Sequence, residues 1–361
     1  FYNLPMRKLV GILAATPLFA TFPRLITLGG GHIAYLVDES ATDLLPTSAH
    51  FFPNWVTAEI REDFTNSSLM LNLDLGDRGR FGKFYIHGNK APGSPGNSLN
   101  SRLFYEGFRY PLNPGVEAGY SNNLGQLLLG ARLGHLNSFR RESWGTVRAD
   151  LSYARFGVGW LREGLPIEGA VSLYVFNGRN DSLGCKVEGA LLRELTARAL
   201  WALSDQTALV LGAHYYDDDL SDQAVDPDDH VEFTGNLGFR VRPVEGYTLV
   251  AGLNYIYWSE QDSRSGYRAY NLNTGVEAAI TRFLTFRIGL SKNFYGKGWE
   301  EGTEHFGSEF DYNLGLGLKI EELRIDGLLS RDFLFKGPYF VGGEPVGLFG
   351  LLAVSYHFRT F

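Results

Sequence analysis

The sequence predicts a transmembrane β-barrel, an all-β fold of about sixteen antiparallel strands connected up and down. In segments such as 281–294, apolar and polar residues alternate with a period of two over the length of a strand. In the hairpin at 308–334, charged residues occupy the second face, which is typical of a wet lumen behind a lipid-facing wall. No apolar run approaches the roughly 20 residues of a spanning helix, so a membrane-spanning chain of this kind must cross with strands.

Composition agrees with this fold class and excludes one kind of partner. The chain has 361 residues, 44 of them glycine and 19 tyrosine, as suits strand bends and aromatic girdles. The net charge of -7, without basic clusters, argues against a nucleic-acid partner. Cys185 is the only cysteine, so no disulfide can form within the chain.

Residues 1–20 are expected to contain a few upstream residues and a signal peptide. Met6, Arg7 and Lys8 precede the apolar run 9–20, which is the pattern of a secretory signal with cleavage near Ala20. A short amphipathic or core helix is the alternative interpretation. Export and a barrel together predict the bacterial outer membrane as the location, with outer-membrane lipid as a partner.

Residues 21–53 do not alternate over any length and are apolar enough to pack against the rest of the protein. We expect this segment to form a hatch, or plug, inside the lumen; a loose periplasmic arm is the alternative. The glycine run at 29–31 lacks the Lys-Ser/Thr of a phosphate loop, so a nucleotide site is not expected. The predicted hatch residues are Leu28, Gly29, Gly30, Asp38, Glu39 and Asp43, whose carboxylates would face lumen arginines such as Arg287.

The barrel itself is predicted over residues 54–361. The alternating segments place strands at 54–61, 68–75, 80–87, 114–121, 125–137, 146–161, 167–177, 186–203, 206–216, 230–242, 246–258, 268–280, 282–294, 308–320, 322–334 and 346–358. Sixteen is an even number, as in bacterial single-chain barrels.

The connections between these strands fall into two kinds that alternate along the chain. Short ones lie near 76–79, 122–123, 204–205, 243–245, 281 and 321, and long polar ones lie at 88–113, 138–145, 178–185, 217–229, 259–267, 295–307 and 335–345. Short periplasmic turns and longer outer loops are typical of outer-membrane barrels, whereas a soluble barrel has no need of this asymmetry.

Individual strands carry further membrane signals. In 246–258, Leu249 and Leu253 are flanked on the same face by Tyr247, Tyr255 and Tyr257, as expected at the two interfaces of a bilayer. In 146–161 the apolar phase changes between Tyr153 and Phe156, which predicts a β-bulge. Arg193 falls on the outward face of its strand and is expected near an interface.

The C-terminal stretch resembles outer-membrane barrels as a class. Leu352, Val354, Tyr356 and Phe358 alternate, and Phe361 follows out of phase. Such barrels commonly end on an aromatic residue that the barrel assembly machinery recognises, so the resemblance implies that machinery as a partner and either Phe358 or Phe361 as the signal.

A narrower resemblance lies in 24–53. Arg24, the Leu28-Gly29-Gly30 stretch and the acidic residues Asp38, Glu39 and Asp43 resemble the N-terminal segment of the long-chain fatty-acid transporter family and its porin-like relatives. The resemblance implies an N-terminal hatch, hydrophobic substrates and a fourteen-stranded barrel. This chain has Leu45-Pro46-Thr47 where the family has Asn-Pro-Ala, and fourteen strands remain an alternative to sixteen.

The candidate functional residues are the charges predicted to face the lumen. They are Arg148, Asp150, Glu232, Arg240, Arg242, Arg287, Glu322, Arg324 and Asp326. They would either form a constriction whose field selects solutes or simply pair across strands and stiffen the wall.

No cofactor, metal site or catalytic function is expected from the sequence. The eight histidines form no metal-binding spacing, and no serine lies in a G-x-S-x-G context. The aspartate-rich loop 217–229 could bind Ca²⁺, but it lacks the glycine and terminal glutamate of an EF-hand, and a solvated loop is the favoured interpretation.

The function predicted from these patterns is passive passage of a small-molecule solute across the outer membrane. One alternative is a transporter of hydrophobic, fatty-acid-like compounds. The other is a non-conducting outer-membrane scaffold for protein secretion, since some relatives of that family serve secretion. The sequence does not identify the solute, and an apolar pocket in the lumen would favour the hydrophobic alternative.

Overall fold

A computed structural model gives the structure of the chain at residues 24, 27, 28, 42, 45–61, 67–76, 80–88, 115–142, 145–162, 165–181, 184–218, 230–260, 265–300, 303–308, 310–330, 334 and 348–358. The first described element is a 3₁₀ helix, Pro46–Phe51. The strands that follow are β1 (Asn54–Arg61), β2 (Ser68–Asp74), β3 (Lys83–Gly88), β4 (Gly115–Leu124), β5 (Leu127–Glu142), β6 (Gly145–Arg162), β7 (Leu165–Asn180), β8 (Cys185–Ala202), β9 (Thr207–Asp218), β10 (His230–Val241), β11 (Tyr247–Glu260), β12 (Gly266–Ala279), β13 (Leu284–Glu300), β14 (Thr303–Gly307), β15 (Phe310–Ile320), β16 (Leu323–Leu329) and β17 (Phe349–Phe358).

The strands form one closed antiparallel barrel. Each strand pairs with its neighbours in sequence, and β1 pairs with both β2 and β17, so the sheet has no free edge. β13 pairs with β14 along its second half and with β15 along its first half. β14 and β15 therefore share one position in the wall, and the seventeen strands make a barrel of sixteen. The sixteen-stranded prediction is confirmed and the fourteen-stranded alternative is wrong.

The outer wall carries a continuous apolar band. The exposed residues of the band include Leu129, Leu133, Phe156, Val158, Val171, Leu173, Leu195, Leu211, Leu237, Leu249, Leu253, Leu272 and Val276. The residues that alternate with them along the strands face inward and are buried, and many of these are polar. A water-soluble protein has the opposite distribution, so the wall is built to face lipid.

Aromatic rings border the band at both ends. Near the short turns lie Trp160, Trp201, Phe239, Tyr247, Phe283 and Tyr356. Towards the loop end, ring centroids are 6.3 Å apart for Phe233 and Tyr255 and 5.2 Å apart for Tyr255 and Tyr270. Tyr270 pairs with Tyr295 and Asn271 with Asn293, so Phe294 is the extra residue of a β-bulge. These two girdles lie where amphipathic rings meet the bilayer interfaces.

Several strands extend further at the loop end than the sequence predicted. β5 ends at residue 142 and β6 begins at 145, so strand occupies most of the expected loop 138–145. β7 ends at 180 and β8 begins at 185, so strand occupies half of the expected loop 178–185. Most of 295–307 also belongs to β13 and β14. In the part of the chain that the structure describes, no helix has both the length and the apolar character needed to cross a membrane.

Candidate functional site

Apolar side chains line the lumen at the loop end of β5 to β9. This loop-side apolar cluster consists of Leu136, Val147, Ala149, Leu151, Tyr153, Tyr174, Phe176, Val187, Ala190, Leu192 and Tyr216, all buried. Phe176 on β7 is opposite Leu151 on β6 and Ala190 on β8, and its side chain is fully buried. The inward face of about one third of the barrel circumference thus carries a packed apolar cluster at the loop end.

The outward face at the same height is charged. Arg148 pairs with Asp150 at 2.9 Å, Arg179 with Asp181 at 2.6 Å, Lys186 with Glu188 at 2.5 Å and Arg193 with Asp217 at 3.1 Å. The first three pairs lie on the loop side of the apolar band, and the Arg193–Asp217 pair lies at its edge, where Arg193 is directly opposite Leu173. Inner and outer faces have therefore exchanged their usual polarity in this part of the barrel.

This exchange corrects two predictions. Arg148 and Asp150 do not face the lumen, because they alternate with the buried residues Val147, Ala149 and Leu151; the side chain of Arg148 is 66% exposed. β6 also has no bulge between Tyr153 and Phe156, since its register with β5 and β7 is unbroken there. The polarity of the two faces changes along β6, while the direction of its side chains does not.

A layer of buried polar groups lies below the cluster on β4 to β6. The Arg132 guanidinium donates a hydrogen bond from Nη1 to Glu117 Oε1 at 2.8 Å and covers the ring of Tyr85, 3.9 Å from its centroid. The Tyr153 hydroxyl donates to the second oxygen of Glu117. Tyr153 therefore turns its ring to the apolar cluster and its hydroxyl to the charged layer.

The same layer continues over β6 to β9 around Glu194. Arg155 donates from Nη2 to Glu194 Oε2 at 2.8 Å and to the Tyr174 hydroxyl at 2.6 Å, and from Nε to Ser172 Oγ at 2.6 Å. Tyr174 donates to Glu194, whose other oxygen is 2.9 Å from His214 Nε2. Buried charges are tolerated when each has such partners, so this layer supports the wall beneath the apolar cluster.

At the turn end, the 3₁₀ helix contacts the inner wall. Thr47 Oγ1 donates to Glu168 Oε1 at 2.8 Å, and Ser48 Oγ donates to the same oxygen at 3.1 Å. Arg198 donates to Glu168 and, at 3.0 Å, to Ser48 Oγ. A side chain at Gly130 would come within 2.8 Å of Pro46, so the wall needs a glycine there for the helix to lie so close.

A second contact attaches Arg24 to the opposite part of the wall. Arg24 donates two hydrogen bonds to Glu277, from Nε at 2.6 Å and from Nη2 at 2.7 Å. Arg287 donates to the same carboxylate at 2.6 Å and pairs with Asp326 at 2.7 Å, and Asp326 also pairs with Arg324 at 2.7 Å. All five residues are buried or nearly so, and a forked guanidinium–carboxylate pair is among the stronger protein contacts.

The remaining predicted site residues differ in whether they face the lumen. Those on inward-facing strand positions are Glu232, Arg240, Arg287, Arg324 and Asp326, and Arg242 directly follows the end of β10. Glu322 lies exposed in the two-residue turn before β16 and does not line the lumen, because the strand begins one residue later than predicted. Leu28 is buried with its backbone against Gly275. Gly29, Gly30, Asp38, Glu39, Asp43 and residues 219–229 of the acidic loop lie outside the described residues.

Several interior charges were not singled out from the sequence. They include Arg24, Glu117, Arg132, Arg155, Glu168, Glu194, Arg198 and Glu277. Seven of these eight occupy inward positions of predicted strands, so the alternation that located the strands could also have found them. Arg24 has no such signal, because it lies ahead of the first strand.

The fold and its inner surface define a membrane-spanning β-barrel of the outer-membrane type. No protein-family model and no curated protein matches the sequence. Among solved structures, CdiB from Escherichia coli is 11% identical, with 85% of this chain and 63% of that chain covered and a TM-score of 0.50. The present chain thus spans less than two thirds of the length of CdiB.

Two further solved structures resemble the chain over most of its length. The toluene transporter TodX of Pseudomonas putida is 13% identical, with 95% of this chain and 100% of that chain covered and a TM-score of 0.47. A FadL homologue of Pseudomonas aeruginosa is 11% identical, with 91% and 96% covered and a TM-score of 0.43. At such identities the likeness concerns the fold alone.

Proposed function

We propose that the protein is an outer-membrane transporter that admits small hydrophobic molecules by passive diffusion. The observation that carries this proposal is the loop-side apolar cluster. A lumen built only for polar solutes gains nothing from eleven buried, mainly apolar side chains on its inner face, whereas an apolar solute leaves water on reaching them. The cluster therefore supports the hydrophobic alternative over passage of polar small molecules.

The test is uptake of the fluorescent apolar probe 1-N-phenylnaphthylamine by Gram-negative cells whose intact outer membrane excludes it. Cells that produce the protein should take up the probe faster than cells without it. Phe176→Ser should slow this uptake by about tenfold, since burying a phenyl ring contributes roughly 1.5–3 kcal/mol. Phe156→Ser removes the same ring from the outer wall and should leave uptake unchanged, provided both variants are inserted equally.

Two results would count against the proposal. Equal uptake with and without the protein, in cells where it is correctly inserted, would favour the non-conducting scaffold. Selective passage of a neutral sugar in a liposome-swelling assay, without uptake of the apolar probe, would favour a channel for polar solutes.

We further propose that the N-terminal segment acts as a hatch at the turn end. Its support is the set of contacts that Arg24, Leu28 and the 3₁₀ helix make with the inner wall. Glycine at 275 permits this approach, because a Cβ there would collide with the carbonyl of Leu28.

Gly275→Val is therefore expected to displace the N-terminal segment while the barrel stays closed. Limited proteolysis should cut residues 24–45 faster than in the parent protein, and single-channel conductance should rise. Gly169→Val is the matched control. The nearest atom to a Cβ at position 169 is 3.5 Å away, which is an ordinary contact, so the same substitution should displace nothing there. Unchanged proteolysis and conductance in Gly275→Val would show that this segment does not limit passage.

A further inference from the structure

Arg240 is a buried arginine that has no partner in the described part of the chain. It lies on β10 opposite Ala208 on β9 and Val250 on β11, both of them buried inward-facing residues, and its own exposure is 4%. Among the residues that the structure describes, Arg240 makes no hydrogen bond and no ion pair. A buried guanidinium normally has several acceptors, because removing its charge from water is costly.

The charges around Arg240 are also positive. The guanidinium groups of Arg242, Arg198 and Arg24 act on that of Arg240, and Arg24 joins this group to the Glu277 network. The turn-side arginine cluster, defined as Arg24, Arg198, Arg240, Arg242, Arg287 and Arg324, is accompanied by three carboxylates, those of Glu168, Glu277 and Asp326. Among the residues that the structure describes, this cluster has three more arginines than carboxylates, in a chain whose net charge is -7.

The three carboxylates are already occupied by other donors. Glu168 accepts from Thr47, Ser48 and Arg198, and Glu277 accepts from Arg24 and Arg287. Asp326 pairs with Arg287 through one oxygen and with Arg324 through the other. A carboxylate of this set could pair with Arg240 only by leaving the buried arginine with which it now pairs.

We propose that Arg240, together with the neighbouring charges of Arg242 and Arg198, forms a binding site in the lumen for a small oxyanion group, a carboxylate or a phosphate. A guanidinium offers a planar fork of N–H donors that matches two oxygens of either group. The site goes beyond the proposed transport of hydrophobic molecules and does not depend on it, because an anion can bind whether or not an apolar solute passes.

The experiment is a calorimetric titration of the purified full-length protein in a zwitterionic detergent at constant ionic strength. The probes are sodium benzoate and inorganic phosphate, which distinguish the two oxyanion classes. Saturable binding of at least one probe is expected, and Arg240→Gln should weaken it by about tenfold to a hundredfold, the value of one or two charge-assisted hydrogen bonds. Arg240→Lys should keep part of the affinity, since it retains the charge without the fork.

Arg148→Gln is the matched control, because Arg148 is an exposed arginine on the outer face. It should bind both probes as the parent protein does. The proposal is overturned if the parent protein binds neither probe saturably, or if Arg240→Gln binds with unchanged affinity. Thermal unfolding of the parent protein with and without each of the two anions gives a second readout that needs no variant. An unfolding temperature that neither benzoate nor phosphate changes would also overturn the proposal.

Discussion

Replacing Glu277 by glutamine is expected to lower the free energy of unfolding by about 3–5 kcal/mol, the largest single effect that we predict. The carboxylate lies between Arg24 and Arg287 and accepts three hydrogen bonds of 2.6–2.7 Å. A neutral amide of the same shape removes the carboxylate that Arg24 and Arg287 share and leaves Arg287 with Asp326 as its remaining carboxylate partner among the described residues. Urea-induced unfolding in lipid vesicles, followed by tryptophan fluorescence, measures the loss.

Glu188→Gln is the matched control for that variant. Glu188 also pairs with a basic residue, Lys186 at 2.5 Å, but its side chain is 68% exposed on the outer face. Exposed ion pairs contribute about 0–1 kcal/mol, so this variant should unfold almost as the parent protein does. Losses of the same size in the two variants would mean that the Glu277 network contributes no more than a surface ion pair.

Replacing Leu211 by arginine should destabilise the barrel by about 2–4 kcal/mol in a bilayer. Leu211 is exposed on the outer wall, paired with Ala199 on β8 and Leu237 on β10 in the middle of the apolar band. An arginine there must leave its charge at the bilayer midplane or deform the lipid around it. The same unfolding experiment in vesicles of defined thickness measures this cost.

Asn137→Arg introduces the same side chain on the outward face beyond the band. Asn137 is opposite Asp150, an acidic residue in the charged region around the extended strands. This variant should be within about 0.5 kcal/mol of the parent protein. If Leu211→Arg and Asn137→Arg were equally stable, the boundary that we draw between the apolar band and the charged region would be wrong.

Alternation alone predicted the sixteen wall positions, because a strand with one face in lipid and one in the lumen has to change polarity at every residue. The same rule failed at the loop end of β6. The rule assumes that the apolar face of a strand is always the outer one. On the loop side of the apolar band this is not so, because Val147 and Leu151 face inward while Arg148 and Asp150 face solvent. Sequence periodicity reports which residues share a face but not where the membrane ends.

The pairing within the lumen could be predicted only in part. Glu277 is directly opposite Arg287 in the β12–β13 hairpin, so the register of that hairpin could have paired them. Arg24, the other donor to Glu277, is 253 residues away from it, and its position depends on the path of the N-terminal segment. The Thr47–Glu168 contact has the same character, because its two residues are 121 positions apart. Such contacts follow from the three-dimensional path of the chain and carry no local sequence signal.

The seam between β1 and β17 determines the order of events during folding. Thr57 and Ser355 share a hydrogen bond of 2.7 Å across this seam and are 298 residues apart in the chain. The seam can therefore form only once β17 is available to pair with β1, and contacts of such long range form slowly. Because Arg24 and the 3₁₀ helix contact the inside of the wall, these residues ahead of β1 must be enclosed as the wall closes.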